Sequence, residues 1–221
     1  MNARRPASAA RSAVRPAAHA PTAPHRVRII GGDWRRTPLP VVDAPGLRPT
    51  PDRVRETLFN WLGQRLDGLR CIDPFAGTGA LGLEAASRGA ALTHLAETQP
   101  AARRALQALI DRLDAAGRVH LHAGDAEGLI ARLRARGERL DLAFVDPPFR
   151  QGLLDAVMPA LAGVLAPGAR IYVEAEAEVP PQQARDWLGP DAVVLRQARA
   201  GQVHYHLLAL ATAPDGPQET P

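Results

Sequence analysis

Leu140-Asp141-Leu142-Ala143-Phe144-Val145-Asp146-Pro147-Pro148-Phe149 is an apolar run with strand character that stops at an acid and two prolines. Each proline lacks a backbone N–H and has φ fixed, so two in succession cannot continue a sheet ladder. The strand therefore ends at Asp146 and presents its carboxylate at the C-terminal tip, the edge of an open α/β sheet where ligands bind. Rigid prolines hold the backbone carbonyls and the Phe149 ring in fixed directions. An acceptor carboxylate, a carbonyl and an aromatic face together suit a planar base carrying an exocyclic amine. Taken alone, the four residues also fit a strand followed by a Pro-rich turn with Phe149 in the core.

Working outward, strand and helix patterns alternate. Leu69 to Phe75, Ala91 to Glu97, Arg118 to Ala123 and Arg170 to Glu176 read as strands. Helices are predicted over Ala80 to Arg88, Pro100 to Ala116, Ala126 to Arg136 and Gln151 to Leu165, the last interrupted or bent near Pro159. A weaker helix at Gln182 to Leu188 precedes two strands, Ala192 to Arg199 and Gln202 to Leu210, joined by Ala200-Gly201. Such alternation implies an α/β fold, a doubly wound, mostly parallel sheet with helices on both faces. The terminal hairpin implies one antiparallel strand.

Three more acids fall at strand C-termini. Asp73 precedes Pro74-Phe75-Ala76-Gly77-Thr78-Gly79-Ala80-Leu81-Gly82, where glycines permit a tight turn ahead of a helix N-terminus. Gly77, Gly79 and Gly82 fit the dinucleotide spacing G-x-G-x-x-G, with Glu97 about where the ribose-binding acid belongs, so NAD competes on this motif alone. Asp73 argues against it, because an extra acid repels a pyrophosphate and suits a cation such as the sulfonium and amino groups of S-adenosylmethionine. Glu97 is placed to accept from ribose hydroxyls. Asp125, in Gly124-Asp125-Ala126, suits an adenine amine, a plain helix N-cap, or both.

Before the sheet, Val27 to Ile30, the Gly31-Gly32-Asp33 turn and a return strand from Trp34 to Val42 read as a hairpin with Arg28, Arg35 and Arg36 available on one side. Gly46-Leu47-Arg48-Pro49-Thr50-Pro51 is a rigid loop with Thr50 as N-cap and Pro51 at the first helical position. The helix that follows buries Val54, Leu58, Phe59, Trp61 and Leu62 and carries Arg53 and Arg55 on its polar side. The division expected is a disordered basic tail at 1–25, the hairpin, loop and helix at 26–66, the main domain at 67–212 and a flexible tail at 213–221.

Net charge is +4 over 221 residues, with arginine as the sole basic side chain besides histidine. Arginine suits bidentate phosphate contacts and base stacking, so nucleic acid is the first partner to consider. Cys71, the single cysteine, excludes an internal disulfide and a cysteine-built metal site, and fits a reducing compartment. No run is apolar enough to predict a membrane span. His204 and His206 alternate on a strand without an evident partner acid and read as structural, as do buried Cys71, Trp34 and Trp61.

Together these residues resemble the RsmD family, bacterial methyltransferases acting on the exocyclic N2 of a guanine in small-subunit ribosomal RNA. The likeness is carried by Arg28-Ile29-Ile30-Gly31-Gly32-Asp33-Trp34-Arg35, by Leu47-Arg48-Pro49-Thr50 with Asp52-Arg53-Val54-Arg55-Glu56, by Phe75-Ala76-Gly77-Thr78-Gly79, by Asp146-Pro147-Pro148-Phe149 and by Ile171-Tyr172-Val173-Glu174. It implies a seven-stranded Rossmann-like methyltransferase sheet whose last strand is antiparallel, preceded by an N-terminal β-hairpin that docks RNA. The implied catalytic residues are Asp146, Pro147, Pro148 and Phe149. The implied S-adenosylmethionine site is Asp73, Phe75, Gly77, Gly79, Glu97, Asp125 and Ala126. RNA would meet Arg28, Arg35, Arg36, Arg48 and Arg53. The expected protein is a cytoplasmic monomer that needs no metal and acts on small-subunit ribosomal RNA or the assembled small subunit. Alternatives are an amino-methyltransferase acting on adenine or cytosine in DNA or another RNA, and a non-catalytic RNA-binding assembly factor. The four intact acids argue against the last.

Overall fold

The computed structural model describes residues 27–41 and 50–212; the predicted basic tail, Arg48 with its loop, and the tail from 213 lie outside the described residues. Helices and strands follow in the order α1 (Asp52–Leu62), β1 (Arg70–Asp73), α2 (Gly82–Ser87), β2 (Leu92–Glu97), α3 (Pro100–Arg112), β3 (Val119–Ala123), α4 (Ala126–Ala135), β4 (Leu140–Val145), α5 (Leu153–Ala162), β5 (Leu165–Ala175), α6 (Pro181–Leu188), β6 (Val193–Ala200) and β7 (Val203–Ala209).

The strands form one seven-stranded sheet in the order β3-β2-β1-β4-β5-β7-β6. Neighbours from β3 to β5 are parallel, and β7 is antiparallel to both β5 and β6. Period-two alternation sends residues of β4 to opposite faces. Ala143 and Val145 pack with Leu129, Leu133, Val157 and Leu161 of α4 and α5, while Leu142 and Phe144 pack with Leu58 and Phe59 of α1. Such two-sided burial explains why the strands read as apolar runs. No helix among the described residues is long and apolar enough to cross a membrane.

Two elements of the main domain differ from expectation in ways that their prolines explain. The helix expected to be interrupted or bent near Pro159 runs through it without interruption, from Leu153 to Ala162. Proline removes one N–H from the ladder, and buried Val157, Met158 and Leu161 hold the helix against the sheet. Strand β5 begins at Leu165, earlier than Arg170, because Leu140 pairs with Leu165 but Leu142 with Arg170. Residues 166–169 therefore bulge out, which accommodates Pro167 and Gly168.

The N-terminal hairpin is shorter than expected. Residues 31–36 form its turn, so Trp34 starts no strand, and a single bridge links Arg28 to Pro38. Pro38 and Pro40 lack the N–H groups that a longer ladder needs. Val27, Ile29 and Leu39 nevertheless bury themselves against Leu83, Ala86 and Leu95. Gly32, at φ 74°, lies so close to the end of α2 that a Cβ would come within 1.8 Å of the Ser87 carbonyl oxygen.

Glu84 binds this segment to α2. Its carboxylate, fully buried, accepts from the backbone N–H groups of Ile30 and Gly31, both at 2.7 Å, and from Arg88 Nε at 2.8 Å. Arg55 was expected on the polar side of α1 but is fully buried. It reaches Asp52 at 2.6 Å, the Arg28 carbonyl at 2.9 Å and Glu84 at 3.5 Å. A buried guanidinium is tolerable because two carboxylates and a carbonyl replace water around it.

Candidate active site

The parallel strands bring their C-terminal tips to one edge. Chain order 73, 97, 125, 146 becomes the spatial order Asp125, Glu97, Asp73, Asp146. Strand order reverses between β1 and β4, so Asp73 and Asp146 flank the switch point where open sheets bind ligands.

Asp73 is buried, and its Oδ2 accepts from the Gly82 N–H at 3.0 Å, tying the tip of β1 to the start of α2. Burial pushes its carboxyl up to about 7, against the backbone N–H groups of Gly82 and Phe75, with help from neighbouring Glu97. Gly82 must be small here: a Cβ would sit 2.3 Å from Leu95 and 3.1 Å from Asp73 Oδ2. Gly77 and Gly79 both take left-handed conformations. Glu97 closes the glycine loop, with Oε2 accepting from Gly77 N–H at 2.9 Å and Oε1 from Gln99 N–H at 2.6 Å. Asp125 caps α4 by accepting from Gly128 N–H at 2.8 Å, and Ala126 is buried beside it. Each carboxylate has four lone-pair sites, so acceptor capacity remains for a ligand.

At the tip of β4, Asp146 is half-buried, Pro147 buried, and Pro148 and Phe149 exposed. Phe149 is 37% exposed, which rules out the core reading of its ring. A cleft of about 200 Å³ opens beside it, lined by Pro147, Pro148, Phe149, Glu176, Val179 and Trp187.

Thr50 does not cap α1. Pro51 occupies the cap position, and the Thr50 hydroxyl instead donates to Asp146 Oδ2 at 3.1 Å. Sequence reasoning also passed over Glu174 as a site residue. The β4–β5 register pairs Val145 with Val173, which sets the next residues, Asp146 and Glu174, side by side. Glu174 is buried, and Tyr172 donates its hydroxyl hydrogen to it at 2.8 Å. Burial and the neighbouring Glu174 carboxyl push Asp146 well above the ordinary carboxylate range, and burial also raises Glu174. A glutamate closing the apolar run Ile171-Tyr172-Val173 was the available signal.

The arginines divide. Exposed Arg28 pairs with Asp52 at 3.8 Å, and Arg53 is exposed in the first turn of α1, three residues after Thr50. Arg35 lines a separate cleft of about 720 Å³ with Arg65, Arg88 and Arg118 beyond the C-terminus of α2, and Arg36 lies beside it in the turn.

Other singled-out residues are structural in their contacts. His206 is buried and accepts from the Val179 N–H at 3.1 Å. Burial pushes the Cys71 thiol up to about 12, which leaves it unreactive. Trp61 stacks on Tyr205, and Trp34 lies under Arg118. Unremarked in the sequence was a cluster of His94, His120 and His122 on β2 and β3, where burial lowers His122 to about 4. Among the described residues no three His, Cys, Asp or Glu side chains are placed to hold a metal.

A family model described as Conserved hypothetical protein 95 matches residues 27–209. The ribosomal RNA small subunit methyltransferase D of Escherichia coli K12 is 46% identical over 189 residues, covering 82% of this chain and 89% of the relative. Its counterpart from Haemophilus influenzae is 35% identical, covering 85% and 95%. The solved structure of the Escherichia coli protein yhhF superposes with a TM-score of 0.70 at 39% identity, covering 85% of this chain and 99% of that one.

Proposed function

This chain belongs to the Conserved hypothetical protein 95 family, the RsmD family, and from that premise we propose that it transfers a methyl group from S-adenosylmethionine to the exocyclic N2 of a guanine in small-subunit ribosomal RNA. The observation that carries this reading is the row of acids across the switch point, with a buried Asp73 that among the described residues pairs with no cation beside the glycine loop, and a half-buried Asp146 beside an exposed Phe149. A cationic cofactor fits that donor set, whereas a pyrophosphate would face Asp73 and Glu97.

When bound, S-adenosylmethionine supplies an electrophilic methyl group. Asp73 would balance its positive charge, Glu97 would accept from the ribose, and Asp125 would receive the adenine amine without leaving its cap. On the substrate side, a guanine N2 lone pair is delocalised into the ring and nucleophilically weak. Asp146 and the Pro147 carbonyl accept its N–H bonds and so direct the lone pair toward the methyl. Phe149 stacks on the base, worth about 1–3 kcal/mol by analogy with other base–aromatic contacts. Holding the reactants in line supplies much of the acceleration. The target base has to leave its stack to enter. Arg28 and Arg53 suit phosphates at the mouth of the site, and Arg35 and Arg36 suit RNA farther along the surface. Acting at N2 of guanine distinguishes this reading from adenine or cytosine amino-methylation. Mapping a labelled methyl group onto ribosomal RNA tests it; label on an adenine or cytosine amine, or none on RNA, would overturn it.

Asp73 ties cofactor affinity to pH. A carboxyl at about 7 is largely protonated below that pH and must ionise to balance a cation. Affinity for S-adenosylmethionine should therefore fall toward about tenfold per pH unit below pH 7 and level off above it. Calorimetry in buffers of different ionisation enthalpy should show proton release on binding, and Asp73→Asn should abolish both the slope and the release. Because the folded-state value lies above the unfolded 3.8, Asp73 also contributes stability that is complete below that pH and lost as pH rises through about 7. An affinity independent of pH would remove Asp73 from the cofactor site.

A further inference from the structure

We propose that Glu174 is a positioning residue for Asp146: its carboxylate, set beside Asp146 by strand register, makes Asp146 a proton acceptor for the target amine. The role rests on the methyltransferase reading above. The need for an acceptor follows from the balance of the reaction. The new C–N bond uses the lone pair of an uncharged amine, and the pair of the broken S–C bond stays on sulfur, which becomes a neutral thioether. The nitrogen is left with one proton too many. An ordinary aspartate is a weak base for it at neutral pH, and efficiency rises as the acceptor's affinity for a proton approaches that of the working range.

The geometry supplies such an acceptor. Val145 pairs with Val173 and Phe144 with Tyr172, so Asp146 and Glu174 follow on the same face of adjacent strands. That face is closed by α1, and Thr50, two residues ahead of it, gives its one hydroxyl hydrogen to Asp146. Tyr172 gives its hydroxyl hydrogen to Glu174, and Tyr205 stands opposite Glu174 on β7. The remaining charged group facing the pair is Asp73 of β1, itself an acid. Among the described residues no arginine or histidine ion-pairs with Asp146 or Glu174. Two neighbouring carboxyls without a cation resist joint ionisation, which is the arrangement that splits acid and base roles in carboxylate pairs. Tyr172 donates to Glu174 and holds its charge, and the burial of Glu174 makes that charge felt at Asp146. Asp146, less buried than Glu174 and followed directly by Pro147, Pro148 and Phe149 that line the cleft, is the member that exchanges its proton with the substrate.

The test is the pH profile of kcat for wild type, Glu174→Gln and Glu174→Asp with ribosomal RNA saturating. Glu174→Gln keeps the shape and the bond from Tyr172 but removes the charge. Its acid limb should move down by about one pH unit or more, and its plateau should fall about 3- to 30-fold as Asp146 becomes a weaker base. Glu174→Asp should keep the acid limb near that of wild type. S-adenosylmethionine affinity should stay within about twofold in both, which reports a folded cofactor site. A lower plateau with an unmoved acid limb in Glu174→Gln would overturn the proposal, leaving Glu174 a packing residue. Infrared titration of the Asp146 carboxyl, assigned by its loss in Asp146→Asn, reads the same coupling without turnover. It should titrate lower in Glu174→Gln, and an unchanged titration overturns the coupling. Absence of methyl transfer by wild type would instead overturn the methyltransferase reading, with the infrared result still deciding the pair.

Discussion

Asp146→Ala lowers kcat for methyl transfer by about 10²- to 10⁴-fold, the range typical of a positioned polar group acting in the transition state, and leaves S-adenosylmethionine affinity within about twofold. The separation follows from position. Asp146 ends β4 on one side of the switch point, whereas Glu97 and Asp125 end strands on the other, each anchored by backbone N–H groups that do not involve Asp146. Truncation removes the acceptor for the amine and the partner of Thr50, and leaves the glycine loop intact. Asp146→Asn retains an amide oxygen that accepts one hydrogen bond but takes no proton, so the part of the activity that rests on orientation should survive. Phe149→Ala should weaken RNA engagement and rate together, because stacking acts before and during transfer. Single-turnover kinetics with calorimetry on the same preparations checks this. Normal methylation by Asp146→Ala would reduce the tetrad to a structural turn.

Glu84→Ala carries the largest expected stability loss, about 3–5 kcal/mol, the scale for breaking one side of a buried ion cluster. Two guanidinium groups lose a shared acceptor, and the N–H groups of Ile30 and Gly31 lose their partner at the same time. Arg55 keeps Asp52, and Arg88 keeps Gln64, so the cluster is weakened without being emptied. At this chain length the melting temperature should drop by roughly 6–20 °C. Glu84→Gln keeps the volume and one acceptor oxygen and should cost less, about 1–3 kcal/mol. Urea denaturation of the three proteins measures it. A loss below about 1 kcal/mol for Glu84→Ala would mean that apolar packing of Val27, Ile29 and Leu39 alone holds the N-terminal segment.

Which parts of this protein were legible in the chain follows from the range of the forces involved. The double proline ends β4 wherever that strand lies, because the missing N–H groups are local, and the glycine spacing marks a loop for the same reason. Strand and helix alternation likewise determined a mostly parallel sheet with Asp73, Glu97, Asp125 and Asp146 at one edge, and the family resemblance rests on those residues. The order in which the tips stand was decided by strand pairing, which no local pattern encodes. Pairing alone put Glu174 next to Asp146 and set Asp73 against Asp146 across the switch point. Thr50 has the residue type and position of a helix cap, and only the approach of α1 to the tip of β4 turned its hydroxyl to Asp146. Arg55 reads as a surface residue by charge, yet Glu84, 29 residues away, makes its burial affordable. Local stereochemistry determined where segments start and stop, and tertiary packing decided which charges meet, because a charge in low dielectric takes its ionisation and its cost from neighbours distant in the chain.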